Sequence, residues 1–200
     1  MDAAFWNDRY AAPHYIYGEA PNSFVAEMAP QIPAGPVLCL AEGEGRNAAY
    51  LAALGHRVTA VDQSDTGLAK ARRLAAARGV KVETVVSDLD RYRIVPGAWA
   101  GIIATFAHLP PTLRRKVHTQ AGLGLQPGGV FILEAYTPAQ LALGTGGPKS
   151  PELLMTLASL RDELAGLEFV VARELERDVL EGDGHTGRGA VVQLLARRHE

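Results

Sequence analysis

Apolar and polar positions change pattern in blocks along the chain. Pro36–Ala41 (PVLCLA) is a continuous apolar run that ends in a glycine-rich turn, the pattern of a strand buried on both faces. His56–Asp62, Val82–Asp88, Trp99–Phe106 and Gly129–Ala135 repeat that short apolar pattern. Between them, Arg46–Gly55, Ser64–Gly79 and Pro111–Leu125 have helical spacing, the first two closed by glycine. A Gly-rich stretch, Gly144–Lys149, leads into an expected helix over Pro151–Leu164. The last part differs: Glu168–Leu180 and Gly187–Arg198 flank the turn EGDGHT and predict an antiparallel hairpin. The first 35 residues, broken by Pro13, Pro21, Pro30 and Pro33, predict two short helices around a turn, with Phe24, Val25 and Met28 facing inward.

Strand–helix alternation implies right-handed crossovers and a mostly parallel, doubly wound α/β sheet with helices on both faces. No repeat, linker or low-complexity tract interrupts it. A single domain over residues 1–200 is expected, with 1–35 as an N-terminal helical lid and 36–200 as the core.

Composition narrows the function. The chain has 200 residues, 48% apolar and 21% charged, with 20 Lys plus Arg against 22 Asp plus Glu. That balance argues against a nucleic-acid partner. The longest nearly apolar runs are about half the ~20 residues of a membrane helix, and no basic leader precedes an apolar stretch. A cytoplasmic protein with a small-molecule substrate, without nucleic acid or membrane, and a monomer or weak homodimer, is expected. The lone Cys39 cannot form an internal disulfide, and no His or Cys spacing suggests a metal.

The chemistry gathers at the first turn. Glu42-Gly43-Glu44-Gly45-Arg46-Asn47-Ala48 follows a strand and opens a helix, and Asp62 ends the next strand 19 residues after Gly43. This is the adenosine-cofactor turn: glycines admit the ligand to the backbone, and the later carboxylate accepts ribose hydroxyls. A dinucleotide would bring its pyrophosphate against Glu42 and Glu44. Each like-charge contact at 4 Å costs on the order of 4 kcal/mol at an effective dielectric near 20. S-adenosylmethionine carries no phosphate and a net positive methionine end, so the acidic turn favours it. No Tyr-x-x-x-Lys pair stands for a dehydrogenase.

With these motifs the chain resembles the class I S-adenosylmethionine-dependent methyltransferases, and within them the small tellurite-resistance branch. The residues that carry the resemblance are LAEGEGRNAAYLA, VDQS, SDL, HLPP and LQPGGVFILE, in that order. It implies a Rossmann-like seven-stranded sheet in the order 3-2-1-4-5-7-6, with S-adenosylmethionine as cofactor and S-adenosylhomocysteine as product. It also implies cofactor contacts from Ala41, Glu42, Gly43, Glu44, Gly45 and Asn47 in the turn, and from Asp62, Gln63 and Ser64 after the second strand. Asp88 and Leu89 would flank the adenine, Thr105 and Phe106 the methyl side, and Arg9 and Tyr17 would belong to the lid. Glu42 stands where the family usually has Asp. Glu176-Arg177 stands where tellurite-type relatives have a His-Arg pair, so the resemblance implies methyl transfer without specifying tellurite.

Candidate catalytic residues are His108, after the fourth strand, and Arg177 and His185 in the terminal hairpin. His108 is expected on the ligand side of the sheet, and the resemblance implies that the hairpin turn brings Arg177 and His185 over the same mouth, where a chalcogen oxyanion, a thiol or another compact metabolite would be methylated. Glu134 is expected to pair with Lys149 or Arg177. Gly144–Lys149 reads as a mobile substrate loop, Arg188 as a further hairpin cation, and His14, His56, His118 and His199 as surface or packing residues. Two rival readings remain: a non-catalytic cofactor-binding sensor, and an NAD-dependent oxidoreductase.

Overall fold

Each apolar run of the core becomes a strand. The computed structural model describes residues 2–200; Met1, the first residue of the N-terminal segment, lies outside the described residues. The strands are β1 (Pro36–Leu40), β2 (Arg57–Asp62), β3 (Val82–Val86), β4 (Trp99–Thr105), β5 (Leu125–Tyr136), β6 (Leu167–Glu181) and β7 (His185–Arg198). They form one sheet in the order β3-β2-β1-β4-β5-β7-β6, as the resemblance implied. Strands β1 to β5 pair in parallel, while β7 runs antiparallel to β5 and β6.

Successive residues of β1 point to opposite faces and so divide the core in two. Leu38 and Leu40 pack with α5 (Pro111–Gly124) and α7 (Leu157–Glu163) through Val117, Ala121 and Leu160. Val37 and Cys39 pack with α2 (Ser23–Met28), α3 (Arg46–Ala53) and α4 (Asp65–Ala77) through Phe24, Leu51 and Leu68. The remaining helices are α1 (Ala3–Tyr10), at the front of the lid, and the short α6 (Gln140–Leu143), which the sequence pattern did not suggest.

The expected helix over Pro151–Leu164 is two pieces: a 3-10 turn at Pro151–Leu153, then α7. Leu154 and Met155 turn into the core as extended chain, and the Met155 amide donates to the Tyr136 carbonyl (3.0 Å). Thr156 then restarts the helix through a capping box with Ser159. Burial of two large side chains and one sheet-edge hydrogen bond outweigh helical continuity there. Among the described residues no helix is long and apolar enough to cross a membrane.

The sheet order reverses direction between β1 and β4, and the crevice at their carboxyl ends is the expected ligand site of such a sheet. Both strands leave it with a non-glycine residue at positive φ, Ala41 (49°) and Phe106 (52°). Such conformations are costly and cluster at ligand sites. Gly45, at φ 88°, also has a packing role. A Cβ there would lie 2.4 Å from the Ala71 Cβ, so its missing side chain lets α3 pack close on α4. Gly45→Ala is expected to destabilise the fold by about 2–4 kcal/mol through left-handed strain and overpacking. Urea unfolding checks this; a loss under about 0.5 kcal/mol would mean that the α3–α4 contact yields freely.

Candidate functional site

The glycine turn is organised by two carboxylates. Glu42 reaches back to the start of α3, where its Oε1 accepts from the Ala48 amide (2.8 Å). The N-cap residue Gly45 has no side chain to do this, so Glu42 caps the helix from outside it. Burial raises the Glu42 carboxyl to about 7, against the pull of the Ala48 amide, Arg46 and the Asn47 amide. Asp62 ends β2 with Oδ2 accepting from the Gly43 amide (2.9 Å) and Oδ1 from the Ser64 amide (2.8 Å). Burial raises its carboxyl too, opposed by those backbone donors.

Beside Asp62 opens a cavity of about 600 Å³ lined by Gln63, Val86, Ser87, Asp88 and Arg91, with Asp2 and Ala3 at its rim. Val86 is 52% exposed, an apolar side chain presented to this space. Asp88 is exposed and takes the Asp90 amide on Oδ1 (2.8 Å), while Leu89 is buried in the core. A carboxylate with lone pairs to spare, an apolar platform and polar groups around an open cavity fit the ribose and adenine of an adenosyl cofactor.

The N-terminal segment closes over this turn. Asn7 Oδ1 accepts from Ser64 Oγ (2.6 Å) and from the Thr66 amide (3.3 Å), docking α1 on the start of α4. Tyr10 is buried against Gly43 and Gly67; a Cβ on Gly43 would come within 2.5 Å of its hydroxyl. Trp6 stacks on Tyr10. Glu44 faces this lid: it is buried, pairs with Lys70 (2.7 Å) and accepts the Tyr17 amide (3.2 Å). Its charge is therefore cancelled within the protein. Arg9 is exposed, with its guanidinium 5.5 Å from the Tyr17 ring centroid. The hairpin turn grips the lid in return, since the Gly184 amide donates to the Ile16 carbonyl (2.9 Å) and His14 pairs with Asp183 (3.2 Å).

Lid, turn and hairpin meet at a buried charged junction. Glu181 binds Arg46 (2.5 Å) and Arg177 (2.7 Å), and Arg177 also binds Glu134 (2.6 Å). Asn22 Nδ2 donates to Glu134 and Glu181, both at 2.9 Å, while the Asn22 amide donates to Asn47 Oδ1 (2.9 Å). Asn47 then reaches Thr105 Oγ1 (3.0 Å) at the end of β4. Of the two partners expected for Glu134, the structure selects Arg177. Sequence reasoning missed Asn22, Arg46 and Glu181. Asn22 alone had a local signal, as an N-cap residue ahead of the apolar run Phe24–Val25.

The hairpin side of the crevice is aromatic. His185 lies 4.4 Å from Phe106, 4.5 Å from Tyr17 and 5.6 Å from Tyr136, centroid to centroid. His108 stacks on Tyr136 at 5.7 Å. Both His108 ring nitrogens meet backbone, Nδ1 at the Leu153 carbonyl (2.9 Å) and Nε2 accepting from the Tyr136 amide (3.4 Å). Burial lowers its pKa to about 4. The expected substrate loop lies on Tyr136: a Cβ on Gly147 would fall 2.6 Å from that ring. Arg188 points away, to Glu176 and Asp178. The structure thus brings Phe106, His108 and His185 together, and turns Arg177 to two carboxylates. Among the described residues no group of three or more His, Cys, Asp or Glu could hold a metal ion.

Residues 37–129 match the family model described as "Methyltransferase domain". Among solved structures the chain is similar to one described as "Conversion of a Disulfide Bond into a Thioacetal Group during Echinomycin Biosynthesis". The identity is 23% with a TM-score of 0.74, over 98% of this chain and 92% of that one. It is similar to TehB from Haemophilus influenzae at 20% identity and a TM-score of 0.72, over 98% of this chain but only 66% of that one. It is also similar to the CcbJ methyltransferase from Streptomyces caelestis at 21% identity and a TM-score of 0.69, over 97% and 96%. No curated protein sequence matches. The domain match and the strand order together give the chain the class I methyltransferase fold.

The raised Glu42 carboxyl sets a pH dependence. Between about 4.5 and about 7 the folded chain holds a proton that the unfolded chain has lost, so this group's contribution to stability falls as pH rises. Glu42→Gln is expected to flatten that part of the profile, measured as urea midpoints from about pH 5 to about pH 8. An unchanged slope would show that Glu42 is ionised throughout.

Proposed function

We propose that this chain is an S-adenosylmethionine-dependent methyltransferase that methylates a small-molecule acceptor held between the end of β4 and the β6–β7 turn. One observation carries the choice of a phosphate-free cofactor: the Glu42 carboxyl sits on the backbone donors at the start of α3. In a dinucleotide-binding turn those donors receive the pyrophosphate. Here a phosphate would have to displace the half-buried Glu42 side chain, itself an anion once ionised.

When bound, the cofactor supplies a methyl group on a sulfonium sulfur, a leaving group already activated. The chain's own residues bind and orient. Asp62 would take the ribose hydroxyls, and Gln63, Val86 and Asp88 would enclose the adenine. Gly43 and Glu42 would lie at the methionine end, with Thr105 and Phe106 on the methyl side. Tyr10 and Tyr17, held down through Glu44, Arg46 and Asn7, exclude water. Thiols, chalcogen oxyanions and other compact metabolites remain the acceptor classes to compare. The likeness to TehB is one of fold and selects none of them.

Calorimetric titration tests the reading. S-adenosylmethionine is expected to bind and NAD not; tighter binding of NAD would overturn the cofactor assignment. Asp62→Ala is expected to weaken cofactor affinity by about 1.5–3 kcal/mol, the worth of hydrogen bonds to a charged group. Cofactor binding without S-adenosylhomocysteine formation across thiols, phenols and oxyanions would favour the sensor reading instead.

A further inference from the structure

We propose that His185 is the acceptor-binding residue, its unpartnered Nδ1 accepting a hydrogen bond from a neutral aromatic hydroxyl or thiol that lies against Phe106, Tyr136 and Tyr17. This rests on the methyltransferase reading and names its substrate class.

Three observations converge. The Nδ1 atom is buried and has no hydrogen-bond partner. Buried polar atoms are almost always satisfied, so an orphan at the ligand side of the sheet marks a group kept for a ligand. His108, a ring away, differs in having both nitrogens occupied by backbone. Second, the walls around His185 are rings, and Tyr17, Phe106 and His185 are all only half-buried, so a planar body can lie along their open edges. Third, the charge of the neighbourhood is spent. Arg46 and Arg177 are matched by Glu134 and Glu181, two cations to two anions. Arg9 stays exposed beyond Tyr17. An oxyanion entering the box would be desolvated without a committed counter-charge.

Burial, reinforced by Arg46, His108, Arg9 and Arg177, lowers His185 to about 3, so the ring is neutral at physiological pH. A neutral imidazole with its proton on Nε2 has a lone pair at Nδ1. A contact from the acceptor's X–H to that lone pair leaves the acceptor's own lone pair free to face the methyl group.

The test measures binding to the full chain with S-adenosylhomocysteine present, using phenol, benzyl mercaptan and selenite as probes. At least one neutral probe is expected to bind and to shift the nitrogen-15 resonance of His185 Nδ1, with selenite binding more weakly than that probe. His185→Phe keeps a ring in the box and is expected to weaken the neutral probe about tenfold, the worth of one hydrogen bond. If that variant fails to fold, the resonance shift in the unaltered chain decides alone. No binding by either neutral probe, binding that leaves Nδ1 unmoved, or tighter binding of selenite overturns the proposal. Failure of S-adenosylhomocysteine itself to bind overturns the methyltransferase reading; its binding with a failed acceptor arm overturns only the role of His185.

Discussion

Two guanidinium groups and two carboxylates, largely withdrawn from water, hold three distant parts of the chain to one another. Arg46 begins α3, Glu134 lies near the end of β5, and Arg177 and Glu181 lie at the end of β6 beside the hairpin turn. An uncompensated member of such a group would be expensive, because desolvation is repaid only by well-made ion pairs and hydrogen bonds. Asn22 supplies the remaining donor to both carboxylates and is also the cap of α2. The lid therefore cannot be seated independently of the hairpin. Removing one charge leaves its partners buried and unmatched, so the geometry of the acceptor side depends on a balance made elsewhere.

The same economy appears at the glycine turn. A helix start leaves amide donors without partners, and folds of this class commonly offer them to a ligand. Here the protein fills that place with its own Glu42, and Asp62 fastens the neighbouring Gly43 amide. What remains open is the cavity beside Val86 and Asp88. On the proposed reading, selection against phosphate follows from the occupied donor and from the half-buried Glu42 beside the buried Asp62. Glu44, which looks equally acidic in the sequence, contributes little to this selection because Lys70 neutralises it.

Much of the architecture was legible because burial on both faces leaves an uninterrupted apolar signature. Pro36–Leu40 and Trp99–Thr105 are cases, and the glycine turn lies where its spacing put it. The alternating terminal hairpin was equally plain. What escaped the sequence was set by distance. Asn22 meets Glu134 across 112 positions and Glu181 across 159, and no local pattern encodes such pairings. The break at Leu154–Thr156 escaped for a related reason: the Tyr136 carbonyl that recruits Met155 belongs to another strand. Gly45 illustrates a subtler limit. Its place in a cofactor motif suggested ligand contact, and the motif did not announce that its missing side chain also makes room for Ala71. A motif records where glycine is needed and is silent on what presses against it.

The reach of the N-terminal strap has a kinetic consequence. Asp2 and Ala3 border the adenine-side cavity, and Tyr17, at the far end of the same strap, rests on His185. One continuous stretch of backbone thus roofs the entrances for both reactants. On the proposed reading, exchange of the donor and exchange of the acceptor would both depend on how this one strap is seated.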